Sequence, residues 1–202
     1  MYSVASLTIS DLLVERGESD LLNGLSFSAQ SGEIVHISGA NGAGKSTFFK
    51  ALLGLLPIFK GSIRLNGELL DHKHQALLDM SLYIGHAAGL NGALTVMENL
   101  RWYLPECSKE RLETVLDELS MSAFAETQLH ALSAGQVRRV SLARLWASDR
   151  SIWLLDEPFT ALDQTLITQL ELKMADHIKA GGIIILASHL PLKQLPFQLV
   201  EL

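Results

Sequence analysis

Gly39, Ala40, Asn41, Gly42, Ala43, Gly44, Lys45, Ser46 and Thr47 form one unbroken run, and no other stretch constrains the fold as tightly. The spacing of Gly39, Gly44, Lys45 and Ser46 is that of a P-loop. Glycines let the backbone bend so that successive N–H groups face one anion. Lys45 adds a point charge suited to the β and γ phosphates of a nucleotide, and the Ser46 hydroxyl suits Mg²⁺. The flanks agree, because an apolar run at 33–38 precedes the loop and a helical pattern at 47–56 follows it. That order turns the positive end of a helix toward the phosphates.

Two further apolar runs, 151–157 and 182–189, end in polar residues as the first does. Near-continuous runs of this kind predict strands covered on both faces, as in a parallel sheet. A helical stretch over 167–180 precedes the last run and is stopped by Gly181 and Gly182. This alternation predicts an α/β core. Residues 4–30 and 61–70 instead alternate in short runs, with a turn at Asn66 and Gly67, and predict antiparallel strands. Residues 95–146 read as mostly helical, and Ser108 offers a helix start. The expected organisation is one domain over 1–202, with an antiparallel β subdomain and a helical insertion at about 88–148.

Composition removes several function classes. The 202 residues are 48% hydrophobic and 19% charged, enough to bury a core without disulfides. Sixteen basic and 22 acidic residues give a net charge of -6, without the basic excess of a phosphate-tracking nucleic-acid binder. Nucleic acid is therefore not an expected partner. The single cysteine, Cys107, has no internal disulfide partner and reads as inert. The N-terminus lacks the pattern of a signal peptide, and no apolar run approaches the roughly 18 residues of a membrane span. The expectation is a soluble chain that reaches a membrane only through another subunit.

Two more clusters carry chemistry. The run 151–158 ends in Asp156 and Glu157, at a strand end where α/β sheets hold ligands. Asp156 suits Mg²⁺, and Glu157 is placed to polarise a water for in-line attack on a γ-phosphate. At 132–136, Ser133, Gly135 and Gln136 stand at the start of a helix. Ser133 reads equally as an ordinary N-cap or as part of a second anion site.

In the order Walker A (39–47), Leu132–Gln136, Asp156–Glu157, Thr160–Asp163 and Ser188–His189, the chain resembles an ABC ATPase. Residues 94–100 also look like that family. The resemblance implies a P-loop NTPase of the α/β class, with a RecA-like core, an antiparallel β subdomain and a helical insertion. It implies ATP and Mg²⁺ as ligands. It implies two copies paired head to tail, the P-loop of one facing Ser133, Gly135 and Gln136 of the other across ATP. Lys45, Glu157 and a switch histidine, His189, would carry hydrolysis; Asp163 would meet the second copy. Integral membrane subunits would hold the pair at the cytoplasmic face of the cell membrane.

Residues 15–27, 83–90, 128–146, 154–163 and 188–192 resemble, more narrowly, the cytochrome c maturation or haem-exporter branch of the family. Many ABC ATPases stack an aromatic side chain on adenine where this chain has Arg16, whose guanidinium can also stack on a base. His86 stands where the family has its Q-loop glutamine, a ligand of Mg²⁺ or its water, and the haem-exporter branch shares this histidine. The same five motifs fit an ABC exporter of another small molecule or lipid. A non-transport ABC ATPase would bring long insertions or tandem copies, and a nucleotide-gated scaffold would not need Glu157 and His189. No direct haem site is expected: Asp71, His72, Lys73 and His74 read as a solvated loop, and His36 as a satisfied core histidine.

Overall fold

The computed structural model describes residues 2, 5–16, 19–40, 42–190 and 192–202, without the side chains of 16, 19–21 and 23. The chain divides into two compact units, one of residues 1–83, 150–157 and 174–202, the other of 84–149 and 158–173.

The first unit is built on two sheets. Strands β1 (Ser6–Arg16) and β2 (Ser19–Gln30) pair antiparallel, and β1 also pairs antiparallel with β4 (Lys60–Leu65). The turn at Asn66 and Gly67 joins β4 to the two-residue β5 (Glu68–Leu69), giving the order β2-β1-β4-β5. The second sheet runs β6-β7-β8-β3-β9. It contains β3 (Ile34–Ser38), β6 (Ser81–Ile84), β7 (Ile152–Asp156), β8 (Ile183–Ala187) and β9 (Gln198–Glu201). β3 is parallel to both β8 and β9, and β7 is parallel to β8. β7 and β8 are buried at every residue, which is why their sequences show no alternation.

Helix α1 (Lys45–Leu52) follows the P-loop. Its Phe48 and Phe49 are fully buried, and Phe27 of β2 packs on Phe48 with ring centroids 5.8 Å apart. Each such ring contributes roughly 1.5–3 kcal/mol on burial, so α1 is anchored by its hydrophobic face. The helix is shorter than the pattern 47–56 suggests, because the chain turns at Gly54 with φ 68°. Short helix α2 (Gln75–Met80) leads into β6. The residue before α2 corrects one expectation: His74 is buried, with Nδ1 2.8 Å from the Leu52 carbonyl, so it is not part of a solvated loop.

The second unit is helical. α3 (Val96–Tyr103) opens with a capping box in which Thr95 and Glu98 satisfy each other's backbone N–H. α4 (Lys109–Glu118) is capped by Ser108, as its sequence suggests. α5 (Ala134–Ala147) packs against both, burying Leu100, Leu112, Leu116 and Val140. α6 (Gln164–Lys179) starts in this unit and ends in the first, where Gly181 turns the chain at φ 91° into β8. Among the described residues no helix is long and apolar enough to cross a membrane.

Candidate functional site

The P-loop joins the end of β3, a strand buried over 34–37, to α1. Gly42 and Gly44 adopt φ 86° and 102°, backbone that L side chains resist, and the N-cap residue, Gly44, has no side chain to cap the helix. The first N–H groups of a helix lack internal carbonyl partners, so this end is open to an anion. Lys45 is buried and donates to the carbonyls of Gly39 at 2.6 Å and Ala40 at 3.0 Å. Its ammonium is thereby held inside the curve of the loop. Asn41 lies outside the described residues.

Asp156 closes β7 and is 2% exposed, a severe placement for a carboxylate without partners. The Ser46 hydroxyl donates to its Oδ2 at 2.8 Å. This joins the P-loop helix to the strand end and sets two hard oxygen donors side by side, a set that fits Mg²⁺. Glu157 follows with φ 51°, left-handed backbone at a residue that is not glycine. Its N–H donates to the Ala187 carbonyl at 2.8 Å, so the turn is tied to the end of β8. The carboxylate faces His189: Nε2 lies 3.3 Å from Oε1, and the His189 backbone N–H points at Oε2 from 3.4 Å. Glu157 is largely shielded while His189 is half exposed.

Ser133, Gly135, Gln136, Asp163 and His86 lie in the second unit. Ser133 caps α5, accepting from the Gln136 N–H at 3.3 Å while its own N–H donates to Gln136 Oε1 at 2.9 Å. Both of the earlier readings of Ser133 therefore fall on one exposed helix N-terminus. Gly135 sits where a Cβ would come 3.5 Å from the Ala161 carbonyl. Asp163 accepts from the Leu166 N–H at 2.8 Å and pairs with Arg139. The Leu166 bond, then the nearby guanidinium, hold its carboxyl below the usual range.

His86 is exposed on a loop that α5 grips from one side. Arg138, 5% exposed, donates to the Gly85 carbonyl at 2.8 Å. Ser141 and Arg144 both donate to the Ala88 carbonyl, at 3.3 and 3.4 Å. The Arg144 guanidinium lies 4.6 Å from the centre of the Tyr103 ring, and burial pulls its pKa down to about 10, still a cation at neutral pH. Tyr103 in turn donates to the Gly89 carbonyl. Between this loop and α3 opens a cleft of about 340 Å³ bordered by Asn99, Tyr103 and the 77% exposed Trp102. The sequence did not single out Arg138, Ser141 or Arg144; their spacing of three along a helix was the available signal. Arg16 ends β1, and its side chain lies outside the description. Burial raises the Cys107 thiol above its ordinary pKa, which disfavours the reactive thiolate.

A P-loop joined to a strand-end carboxylate, with a capped Ser-x-Gly-Gln helix start in a helical unit, defines an ATP-binding cassette. A match to the family described as ABC transporter spans residues 22–160. The chain is 40% identical over 186 residues to the cytochrome c biogenesis ATP-binding export protein CcmA of Escherichia coli O157:H7, covering 92% of this chain and 90% of that protein. The protein of the same name from Shigella flexneri matches with the same identity and coverage. A solved ATP-binding subunit of an ABC transporter superposes with a TM-score of 0.82 at 28% identity, covering 91% of this chain and 79% of that one. The chain belongs to the ABC transporter family and is an ATP-binding ABC-type ATPase.

Proposed function

We propose that the chain is the ATP-hydrolysing subunit of a membrane complex for cytochrome c biogenesis, of the haem-export type. The 40% identity to export proteins of that name, over nearly the whole chain, carries the reading. Two copies pair head to tail, and integral membrane subunits hold them at the cytoplasmic face of the cell membrane.

In this reading Glu157 accepts the proton of the attacking water. His189 holds the carboxylate in line from 3.3 Å, a distance open to tightening once substrate is bound. Lys45 leaves the Gly39 and Ala40 carbonyls for the β and γ phosphates, joined by the N–H groups of Gly42, Ala43, Gly44, Lys45, Ser46 and Thr47. Ser46 and Asp156 would hold Mg²⁺, with His86 as a further ligand directly or through water. When bound, the ion neutralises charge on the phosphates. Arg16 stacks on adenine. Ser133, Gly135 and Gln136 complete the site from the second copy, and Asp163 adds a contact between copies.

The loop of His86 reports nucleotide state to the membrane subunits. Its fastening to α5, the helix that starts at Ser133, supports that role: a shift of the helix moves the loop. The test is twofold. Membrane subunits recovered with the tagged chain are expected to be those of a cytochrome c biogenesis complex, and a null strain carrying this chain is expected to mature c-type cytochromes. Recovery of an unrelated permease, with no maturation, would assign the ATPase to another exporter.

A further inference from the structure

His36 lies in the middle of β3, opposite Leu186 of β8 and Leu199 of β9, and is 6% exposed. A polar ring on such a strand needs a reason. Its Nε2 is 2.9 Å from the Ser188 carbonyl oxygen. A carbonyl only accepts, so Nε2 carries the proton and donates. The ring is fixed from the side by Phe197, edge-on with centroids 5.2 Å apart.

The bond acts on more than Ser188. A peptide unit is planar, and in the trans form its C=O and N–H point to opposite sides. The peptide whose oxygen His36 holds is the one whose N–H, that of His189, is aimed at Glu157 Oε2. His36 and the Glu157 carboxylate therefore stand on opposite sides of one peptide. Donation to the oxygen fixes the plane and strengthens the N–H as a donor, because linked hydrogen bonds polarise one another. The Leu190 N–H, bonded to Ser188 Oγ at 2.9 Å, steadies the same turn.

We infer that His36 is a positioning residue for hydrolysis, orienting Glu157 through the Ser188–His189 peptide. The inference rests on the assignment of Glu157 as general base. Methionine and glutamine are matched in length at this buried position, and only glutamine donates. In the purified full chain with Mg²⁺ and ATP, His36→Met is expected to lower kcat about tenfold, the scale of small misplacements of reacting groups. KM for ATP should stay within about twofold, because the P-loop contacts are untouched. His36→Gln should recover most of the rate. In a Glu157→Gln background, His36→Met should have no further effect on the residual rate, whereas a packing defect would lower it again. His36→Leu, suited to its leucine neighbours, replaces His36→Met if that variant does not fold. Equal loss in the methionine and glutamine variants, or a wild-type rate with methionine, would overturn the inference. Wild-type hydrolysis by Glu157→Gln alone would instead overturn the assignment of the base.

Discussion

Arg138→Met tests whether α5 governs the His86 loop. Methionine keeps the apolar stem and removes the donor that reaches the Gly85 carbonyl at 2.8 Å. Gly85 is buried, so water cannot replace that bond. An unpaired buried carbonyl costs about 1–3 kcal/mol. Relief from burying a guanidinium, and the burial of the thioether, offset part of this. A net loss of about 1–2 kcal/mol remains, because Gly85 keeps its oxygen and gains no donor. For a chain of this size it corresponds to a fall in Tm of roughly 2–8 °C. Ser141 and Arg144 still hold Ala88, so the loop loosens rather than detaches. Amide hydrogen exchange over 86–91 is expected to quicken, while ATP affinity of the isolated chain stays within about twofold, since the P-loop belongs to the other unit. Unchanged exchange over 86–91 together with an unchanged Tm would refute the reasoning.

Glu157→Gln keeps the shape of the carboxylate but cannot take a proton; turnover is expected to fall about 10²–10⁴-fold, with ATP trapped in a dimer on gel filtration. Mixing Lys45→Ala chains with Ser133→Arg chains is expected to restore hydrolysis that neither parent shows, because each mixed dimer keeps one complete site; dimers that form yet stay inactive would count against a site shared between copies, and crosslinking Ser133 to the P-loop would locate the fault. His86→Ala is expected to leave ATP affinity of the isolated chain nearly intact while lowering turnover in the membrane complex and cytochrome c maturation in cells, with His86→Gln retaining more of both. Wild-type maturation by the alanine variant at normal expression would end the coupling role of His86.

What the sequence displays is local, and what it hides is pairing between distant segments. The P-loop is legible because its chemistry is nine consecutive residues, and two of its glycines, Gly42 and Gly44, stand where the backbone needs positive φ. β7 and β8 are legible because strands buried on both faces read as unbroken apolar runs. β9 gives no such signal: of Gln198–Glu201 only Val200 is buried, and the strand exists through its register with β3. His74 misleads for a related reason. It sits among Asp71, His72 and Lys73, a run that reads as solvated, yet its ring is drawn inward by the Leu52 carbonyl, 22 residues away. The charged side chains of α5 were hidden too, since Arg138 and Arg144 look like surface residues until the carbonyls of Gly85 and Ala88 are placed opposite them. His36 marks the extreme, because its partner is 152 residues away. Reading it as a satisfied core histidine located the ring and missed the consequence: among the described residues Nε2 has a partner and Nδ1 has none. The one bond the ring makes falls on the peptide that faces Glu157, and only the parallel register of β3 and β8 brings them together.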